Sequence, residues 1–239
     1  MKCYGVIGYP LDHSFSKKYF TEKFKQEGIT DCSYEMFPLK SIDELKDLLI
    51  VQYPDLVGLN ITIPHKRSVL HFLTDTTNIP TGLSACNCIK IIGKKIIGYN
   101  TDITGFENSL LPLLKTHHTH ALILGNGGAA EAVKFVLKKL NISYQIVSRK
   151  IHEGSHLTYA DLDEAIIKEN ELIINTTPVG TFPNVDESPA IPYQYLGAEH
   201  LLFDLVYNPS KTVFLQKGEE HGAATKNGYE MLVRQAEES

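Results

Sequence analysis

Ala121-Leu122-Ile123-Leu124-Gly125-Asn126-Gly127-Gly128-Ala129-Ala130-Glu131-Ala132-Val133-Lys134-Phe135 is the stretch that decides the fold. An apolar strand (121–124) runs into a glycine-rich turn, and a helix-period segment is predicted over 129–140. This arrangement suits a dinucleotide pyrophosphate. Glycines let the backbone approach the phosphates, and the free N–H groups at the helix start face negative charge. Ala130 is a third small residue that permits close packing of helix on strand. A tight turn alone can use glycine for steric reasons, so context matters. A second strand, 143–148, ends about 20 residues further on, where ribose recognition is expected. It ends Ile146-Val147-Ser148-Arg149-Lys150, with no acid to hold a ribose 2′-hydroxyl. Arg149 and Lys150 favour a 2′-phosphate, and hence NADP(H); a solvated basic loop is the alternative.

Outward from this unit, short apolar runs alternate with helix-period segments, the pattern of parallel α/β units. The first half predicts strand 3–8, helix 16–27, strand 33–37, helix 42–51, strand 56–63, helix 67–73 and a hairpin near 88–98. Ser41 and Glu44 form a capping-box pattern, Gly28 is a helix stop, and Gly93-Lys94 supplies the hairpin turn. Helix 103–114 follows, with Pro112 ending it early, and then a polar connector, Thr116-His117-His118-Thr119-His120. Beyond the glycine turn, Asp161 with Glu164 is expected to cap a helix. Leu172-Ile173-Ile174 and Leu201-Leu202-Phe203 read as buried strands. Helix 211–220 stops at Gly222, and a final helix starts near Tyr229.

Bulk properties narrow the classes. The chain has 239 residues, enough for two modest domains. Apolar residues at 43% and charged residues at 21% are ordinary globular values. A formal charge of −5 argues against nucleic acid as a partner. No segment approaches the roughly 18 apolar residues of a membrane span, and Cys3-Tyr4-Gly5-Val6-Ile7-Gly8 reads as a strand with no secretory leader before it. Cys3, Cys32, Cys86 and Cys88 suit reduced thiols in a cytoplasmic protein better than a disulfide framework or a zinc site.

Three polar segments lie in the first half. Gly8-Tyr9-Pro10-Leu11-Asp12-His13-Ser14-Phe15-Ser16 offers two hydroxyls at a helix start, where a serine N-cap would explain them. In Gly58-Leu59-Asn60-Ile61-Thr62-Ile63-Pro64-His65-Lys66, Asn60 and Thr62 share a strand face. Lys66 stands past the carboxyl end of that strand, where α/β folds bind ligands. A surface lysine opening a helix is the bland alternative, although a cation is unfavourable at a helix start. Gly98-Tyr99-Asn100-Thr101-Asp102-Ile103-Thr104-Gly105 joins the hairpin to the next helix, which Asp102 could simply cap.

These segments occur in order with Gly125 to Ala130, Asn175-Thr176-Thr177-Pro178-Val179-Gly180, Asp204-Leu205-Val206-Tyr207 and Asn227-Gly228-Tyr229-Glu230-Met231-Leu232-Val233-Arg234-Gln235. Taken together they resemble the shikimate dehydrogenase family over essentially the whole chain. The resemblance implies two α/β domains flanking a cleft. Residues 1–102 with 228–239 would bind substrate, and 103–227 would form a Rossmann-like NADP domain. It implies that Ser14, Ser16 and Thr62 hold the carboxylate and ring of shikimate or 3-dehydroshikimate. Asn87, Asp102 and Gln235 would hold its hydroxyls, with Tyr207 close by. Lys66 would be the acid/base group, paired with Asp102. Gly125, Asn126, Gly127, Gly128 and Ala129, with Ser148, Arg149 and Lys150, would carry NADP, and Leu205 and Gly228 would lie near the nicotinamide. A monomer or homodimer without membrane or nucleic-acid partners is expected.

The sequence departs from the family pattern in places. Lys17 stands where a proline is usual, Ala85-Cys86-Asn87-Cys88 replaces Ala-Val-Asn-Thr, and Ser148-Arg149-Lys150 replaces Asn-Arg-Thr. The chain also ends soon after Gln235, so its closing helix is expected to have less to pack against. Rival readings are a quinate/shikimate enzyme that tolerates NAD, a catalytically silent NADP-binding protein on the same fold, and a zinc dehydrogenase, for which a Cys/His ligand set is lacking.

Overall fold

Residues 1–11, 14–49, 53, 55–151 and 154–239 are described by a computed structural model. Asp12 and His13 of the first polar segment, and Ile50 and Val51 of the expected 42–51 helix, lie outside the described residues. By internal contacts the chain divides into two compact units, Met1–Thr101 with Ser239, and Asp102–Glu238. Both are α/β. The division expected above, 1–102 with 228–239 and then 103–227, is drawn by ligand rather than by contact and returns below as a proposal.

The first unit is built on β1 (Lys2–Gly8), β2 (Cys32–Pro38), β3 (Leu56–Ile61), β4 (Cys88–Ile92) and β5 (Lys95–Tyr99). Their order is β2-β1-β3-β4-β5. β1 is parallel to β2 and β3, while β4 runs antiparallel to both β3 and β5. Helix α1 (Phe15–Gln26) covers part of the sheet through Phe20 and Phe24, one helical turn apart. Phe20 stacks on Tyr34 at 4.7 Å between centroids, and Phe24 meets Tyr4 at 6.1 Å. A larger cluster holds Ile7, Phe37, Leu45, Leu48, Leu59, Val69 and Ile89. The Ser41–Glu44 capping box is formed, with the Ser41 amide donating to Glu44 Oε1 at 2.8 Å. It opens a helical stretch, as expected, which is irregular: a 3-10 turn (Ile42–Glu44) passes into α2 (Leu45–Asp47) and a wider turn at 48–49. The expected helix 67–73 is a 3-10 segment, Ser68–Phe72, and β3 ends at Ile61 rather than 63.

The second unit has α3 (Asp102–Leu110), β6 (His120–Leu124), α4 (Gly128–Lys139), β7 (Ser143–Ser148), β8 (Leu157–Thr158), α5 (Glu164–Glu169), β9 (Leu172–Asn175), β10 (Leu201–Asp204), α6 (Val213–Glu220), β11 (Ala224–Lys226) and α7 (Tyr229–Glu238). Its sheet is wholly parallel in the order β11-β10-β9-β6-β7-β8. Starting from β6, this is the doubly wound Rossmann order, reversing direction between β6 and β9. β9 and β10 are buried along their whole length, as strands covered on both faces must be. Phe106 of α3 meets Phe203 of β10 edge-on at 5.1 Å, both fully buried. Val147, Ile167, Leu202, Phe214 and Leu215 fill another cluster.

Several local expectations change. The cap of α5 is Asp163, which accepts from Ile166 N at 2.9 Å. Asp161 instead closes a box with Thr158 one turn earlier. Helix α3 does end early before Pro112, as expected, stopping at Leu110 with Pro112 in a following 3-10 turn, Leu111–Leu113. The polar connector at 116–120 is docked through His118, while Thr116 and Thr119 stay exposed. His118 is buried, and its Nε2 lies 3.1 Å from the Glu199 carbonyl. Short strands β8 and β11 were not expected.

Helices α3 and α7 pack closely at Gly105, where a Cβ would lie 2.7 Å from the Met231 carbonyl and 3.0 Å from Gln235 Cβ. Gly105→Val should therefore lower Tm by about 3–10 °C, since overpacking costs about 1–3 kcal/mol. A thermal melt indistinguishable from wild type would contradict this packing.

Candidate active site

In the first unit, chain direction gathers the polar segments. β1, β3 and β5 run the same way, and β4 opposes them. The exits of β1, β3 and β5 and the entry of β4 therefore share one sheet edge. Ser14 and Ser16 follow β1, Thr62 and Lys66 follow β3, Asn87 precedes β4, and Thr101 follows β5. Asp102 is the next residue and opens α3.

Hydrogen bonds tie these segments together. Thr62 N donates to Ile7 O at 2.9 Å, and Tyr9 N to Ile63 O at 2.9 Å. Cys86 N donates to Lys66 O at 2.8 Å, and Asn87 N to Tyr99 O at 3.1 Å. The Asn87 side chain, 2% exposed, accepts from Thr101 N at 2.7 Å and donates to Thr101 Oγ1 at 2.9 Å. The half-buried Lys66 side chain and the buried Asp102 carboxylate thus rise from backbone fixed by the same pair, Cys86 and Asn87. Lys66 is further held by its neighbour: buried His65 hydrogen-bonds the Leu39 carbonyl at 2.7 Å.

Ser14 occupies the N-cap position of α1, yet its side chain makes no capping bond. The capping explanation for that hydroxyl therefore fails. Ser16 hydrogen-bonds the Tyr34 hydroxyl, which donates to Asn60 Oδ1 at 2.7 Å. Burial pushes the Tyr34 hydroxyl well above its ordinary value, so it stays protonated as a donor. The sequence reading missed Tyr34. It had set Asn60 beside Thr62 on one strand face, which was the available signal. The cysteines flanking Asn87 are thiols, not a disulfide. Cys86 is fully buried as a small apolar residue, and burial pushes the Cys88 thiol up to about 12, which leaves it un-ionised and a poor nucleophile.

In the second unit, the loops after β6, β7 and β10 lie at the carboxyl edge of the sheet, the usual ligand edge. Gly125 has φ +100°, and a side chain there would collide with Thr177 Cγ2 at 2.7 Å. Gly127 is the N-cap of α4, without a side-chain cap and with open space where a Cβ would be. The first amides of α4 consequently face outward at a helix N-terminus, which is the donor set a pyrophosphate needs. Ser148 donates to Lys150 O at 2.6 Å and so shapes the turn carrying the exposed Arg149 and Lys150. Gly154 returns that loop to Asn126, 3.2 Å from where its Cβ would be. These residues fit a dinucleotide with an additional phosphate. Ala129 follows Gly128 in the first turn of α4, and Tyr207 shares the β10–α6 loop with Leu205.

Leu205 and Gly228 are pressed together, since a Cβ on Gly228 would lie 2.1 Å from the Leu205 carbonyl oxygen. Asp102 precedes Gly105 by one turn on α3 and shares the face that Gln235 of α7 packs against. Asp204 and Asn175, which the sequence reading assigned no role, end adjacent strands and are hydrogen-bonded at 2.9 Å. The signal available for them was a polar residue closing each of two apolar runs. Among the described residues no cluster of His, Cys, Asp or Glu is arranged to hold a metal ion, and no helix is long and apolar enough to cross a membrane.

Residues 6–89 match the model of the shikimate dehydrogenase substrate binding domain. A shikimate dehydrogenase (NADP(+)) of Methanococcus maripaludis is 37% identical over 98% of this chain and 88% of its own length. Among solved structures, a shikimate dehydrogenase in complex with NADP+ superposes with a TM-score of 0.84 at 31% identity, covering 99% of this chain and 87% of that one. The Thermus thermophilus enzyme in complex with NADP(H) and shikimate also has a TM-score of 0.84, at 26% identity, covering 99% of this chain and 90% of its own. With its motifs in order and its relatives alike over nearly their full length, the chain belongs to the shikimate dehydrogenase family.

Proposed function

We propose that this protein catalyses the reversible, NADP-dependent reduction of 3-dehydroshikimate to shikimate in aromatic amino acid biosynthesis. The observation that carries the reading is the Cys86–Asn87 pair, which fixes the backbone of Lys66 and of Thr101 before Asp102 at the sheet edge that also bears Ser14, Ser16 and Thr62. Residues 1–102 with 228–239 serve the substrate, and 103–227 serve the cofactor. A cytoplasmic monomer or homodimer, working on small molecules without nucleic acid or membrane, completes the reading.

The reaction adds a hydride to the carbon of a ketone and a proton to its oxygen. Bound NADPH supplies the hydride. Lys66 donates the proton and stabilises the charge developing on oxygen; in the reverse direction it takes the proton back. Asp102, Asn87 and Gln235 hold the ring hydroxyls, which fixes the reacting carbon. Ser14 and Ser16 donate to the substrate carboxylate, Thr62 meets the ring, and Tyr207 lies close by. Tyr34 and Asn60 hold Ser16 in place through the hydroxyl chain described above. For the cofactor, Gly125, Asn126, Gly127, Gly128 and Ala129 cradle the pyrophosphate. Arg149 and Lys150, on the turn shaped by Ser148, take the 2′-phosphate, and Leu205 and Gly228 line the nicotinamide.

Lys66→Ala should lose about 10²- to 10⁴-fold in kcat, the usual share of a general acid/base, with a nearly unchanged KM for shikimate. Steady-state kinetics with a near-normal kcat would remove Lys66 from this role. Arg149→Ala should raise the KM for NADP by about 10- to 100-fold, the loss of one charge-assisted contact, and leave the KM for NAD nearly as it was. Equal effects on both cofactors would rule out a 2′-phosphate contact.

A further inference from the structure

The loops leaving β9 and β10 meet around one fully buried carboxylate. Asp204, at the end of β10, accepts from Asn175 Nδ2 at 2.9 Å and Val206 N at 3.0 Å on one oxygen. Its other oxygen accepts from Thr212 Oγ1 at 2.6 Å. The two loops are also joined directly, by Leu205 N to Asn175 O at 2.9 Å and Phe182 N to Asn208 O at 3.0 Å. A carboxylate buried among neutral donors is costly compared with an apolar side chain of the same volume. Its place is directly before Leu205.

We propose that Asp204 is a positioning residue for hydride transfer, one that touches neither substrate nor cofactor but holds Leu205, and through it Gly228, against the nicotinamide. This rests on the reading of Leu205 and Gly228 as nicotinamide neighbours. The coupling is steric and hydrogen-bonded. Gly228 N donates to Val206 O at 3.1 Å, and the backbones of Gly228 and Leu205 are too close to move independently. A loosened Leu205 therefore displaces both walls of the ring site. Hydride transfer responds steeply to such displacement, because reacting groups must be held within about 0.5 Å.

The ionised form fits this role. Both oxygens act as acceptors, and charge-assisted bonds are stronger than neutral ones. Protonation places a donor on one oxygen and disturbs the Thr212 hydroxyl, which also accepts from Leu215 N at 3.4 Å. Burial pushes the Asp204 carboxyl up to about 6, against the hydrogen bonds of Thr212, Val206 and Asn175, which pull it down. The titratable group facing it from the 3-10 turn Tyr193–Tyr195 is Tyr193, itself raised by burial and therefore neutral across this range. From α6, the Lys217 ammonium sits 4.7 Å from the Tyr193 ring centroid and donates to Ser188 Oγ.

The sign of the linkage separates positioning from folding. A carboxyl raised in the folded state favours folding below its unfolded value of about 3.9, and that contribution is lost as pH rises through the folded value. Acidification from neutrality through this window does not unfold the protein through Asp204. A loss of hydride-transfer rate there reports geometry.

The test uses the full chain, oxidising shikimate with NADP, with protium or deuterium at the reacting carbon, between about pH 5 and pH 8. Wild type should show an isotope effect on kcat that grows, and a kcat that falls roughly tenfold, below about pH 6. Asp204→Asn, a neutral isostere, should show the lower kcat and larger isotope effect at every pH, with shikimate KM within about twofold of wild type. An unchanged isotope effect in Asp204→Asn overturns the proposal. If that variant does not fold, the wild-type profile decides: a flat isotope effect overturns the proposal, and a rising one supports it. Absence of any shikimate oxidation by wild type would instead remove the functional reading beneath the proposal, and the proposal with it.

Discussion

The first unit depends on what Cys86 and Asn87 do with their polar groups. Cys86 N reaches Lys66 O, Asn87 O accepts from Ile61 N at 2.8 Å, and Asn87 N reaches Tyr99 O. The Asn87 amide bonds both the backbone amide and the hydroxyl of Thr101. Buried backbone groups must find partners, and here the partners are the exits of the two strands that carry Lys66 and Asp102. Alanine at Asn87 would leave the Thr101 amide without its side-chain acceptor, and so disturb the segment that delivers Asp102. The same residue that is proposed to hold a substrate hydroxyl thereby also supports the segment leading to Asp102. The cysteines on either side respect this. Cys86 fills apolar space, and Cys88 stays protonated, so substituting the family's valine and threonine alters volume more than charge.

The second unit solves a different problem with the same economy of position. Its sheet reverses winding between β6 and β9, so the loops that follow these strands diverge and leave a crevice at their carboxyl ends. Gly125 adopts a positive φ against Thr177 of the neighbouring loop, and Gly127 leaves the start of α4 uncovered. Bulk is excluded where an anion would approach, and donors are left where it would rest. The carboxylate of Asp204 sits two strands from the phosphate turn, at the same edge, where it bonds Asn175 at the end of β9 and Thr212 at the end of its own loop.

Much of this was legible in the sequence because the signals are local. The apolar run 121–124, its glycines and the following helix period need only neighbouring residues to be read, as does the Ser41–Glu44 box. What was not legible is non-local. β11 (Ala224–Lys226) is not apolar in sequence and becomes a strand by pairing with β10. The segment 67–73 carries helical spacing but folds as a 3-10 turn, and the helical stretch opened at Ile42 starts as a 3-10 turn before it becomes α2, details of hydrogen-bond register that residue spacing does not encode. Lys66 and Asp102 each had a bland local explanation, which only their company overrode. Tyr34 and Asp204 carried at most a weak local signal: Tyr34 bonds Asn60, two strands away across β1, and Asp204 bonds Asn175 of the neighbouring strand and Thr212 at the far end of its own loop.

The central claim is that these residues turn over shikimate with NADP. The measurement that reaches it most directly is the absorbance of reduced nicotinamide when the purified chain is given shikimate and NADP. A steady rise that needs both compounds is predicted, faster with NADP than with NAD. No rise with either cofactor would contradict the account.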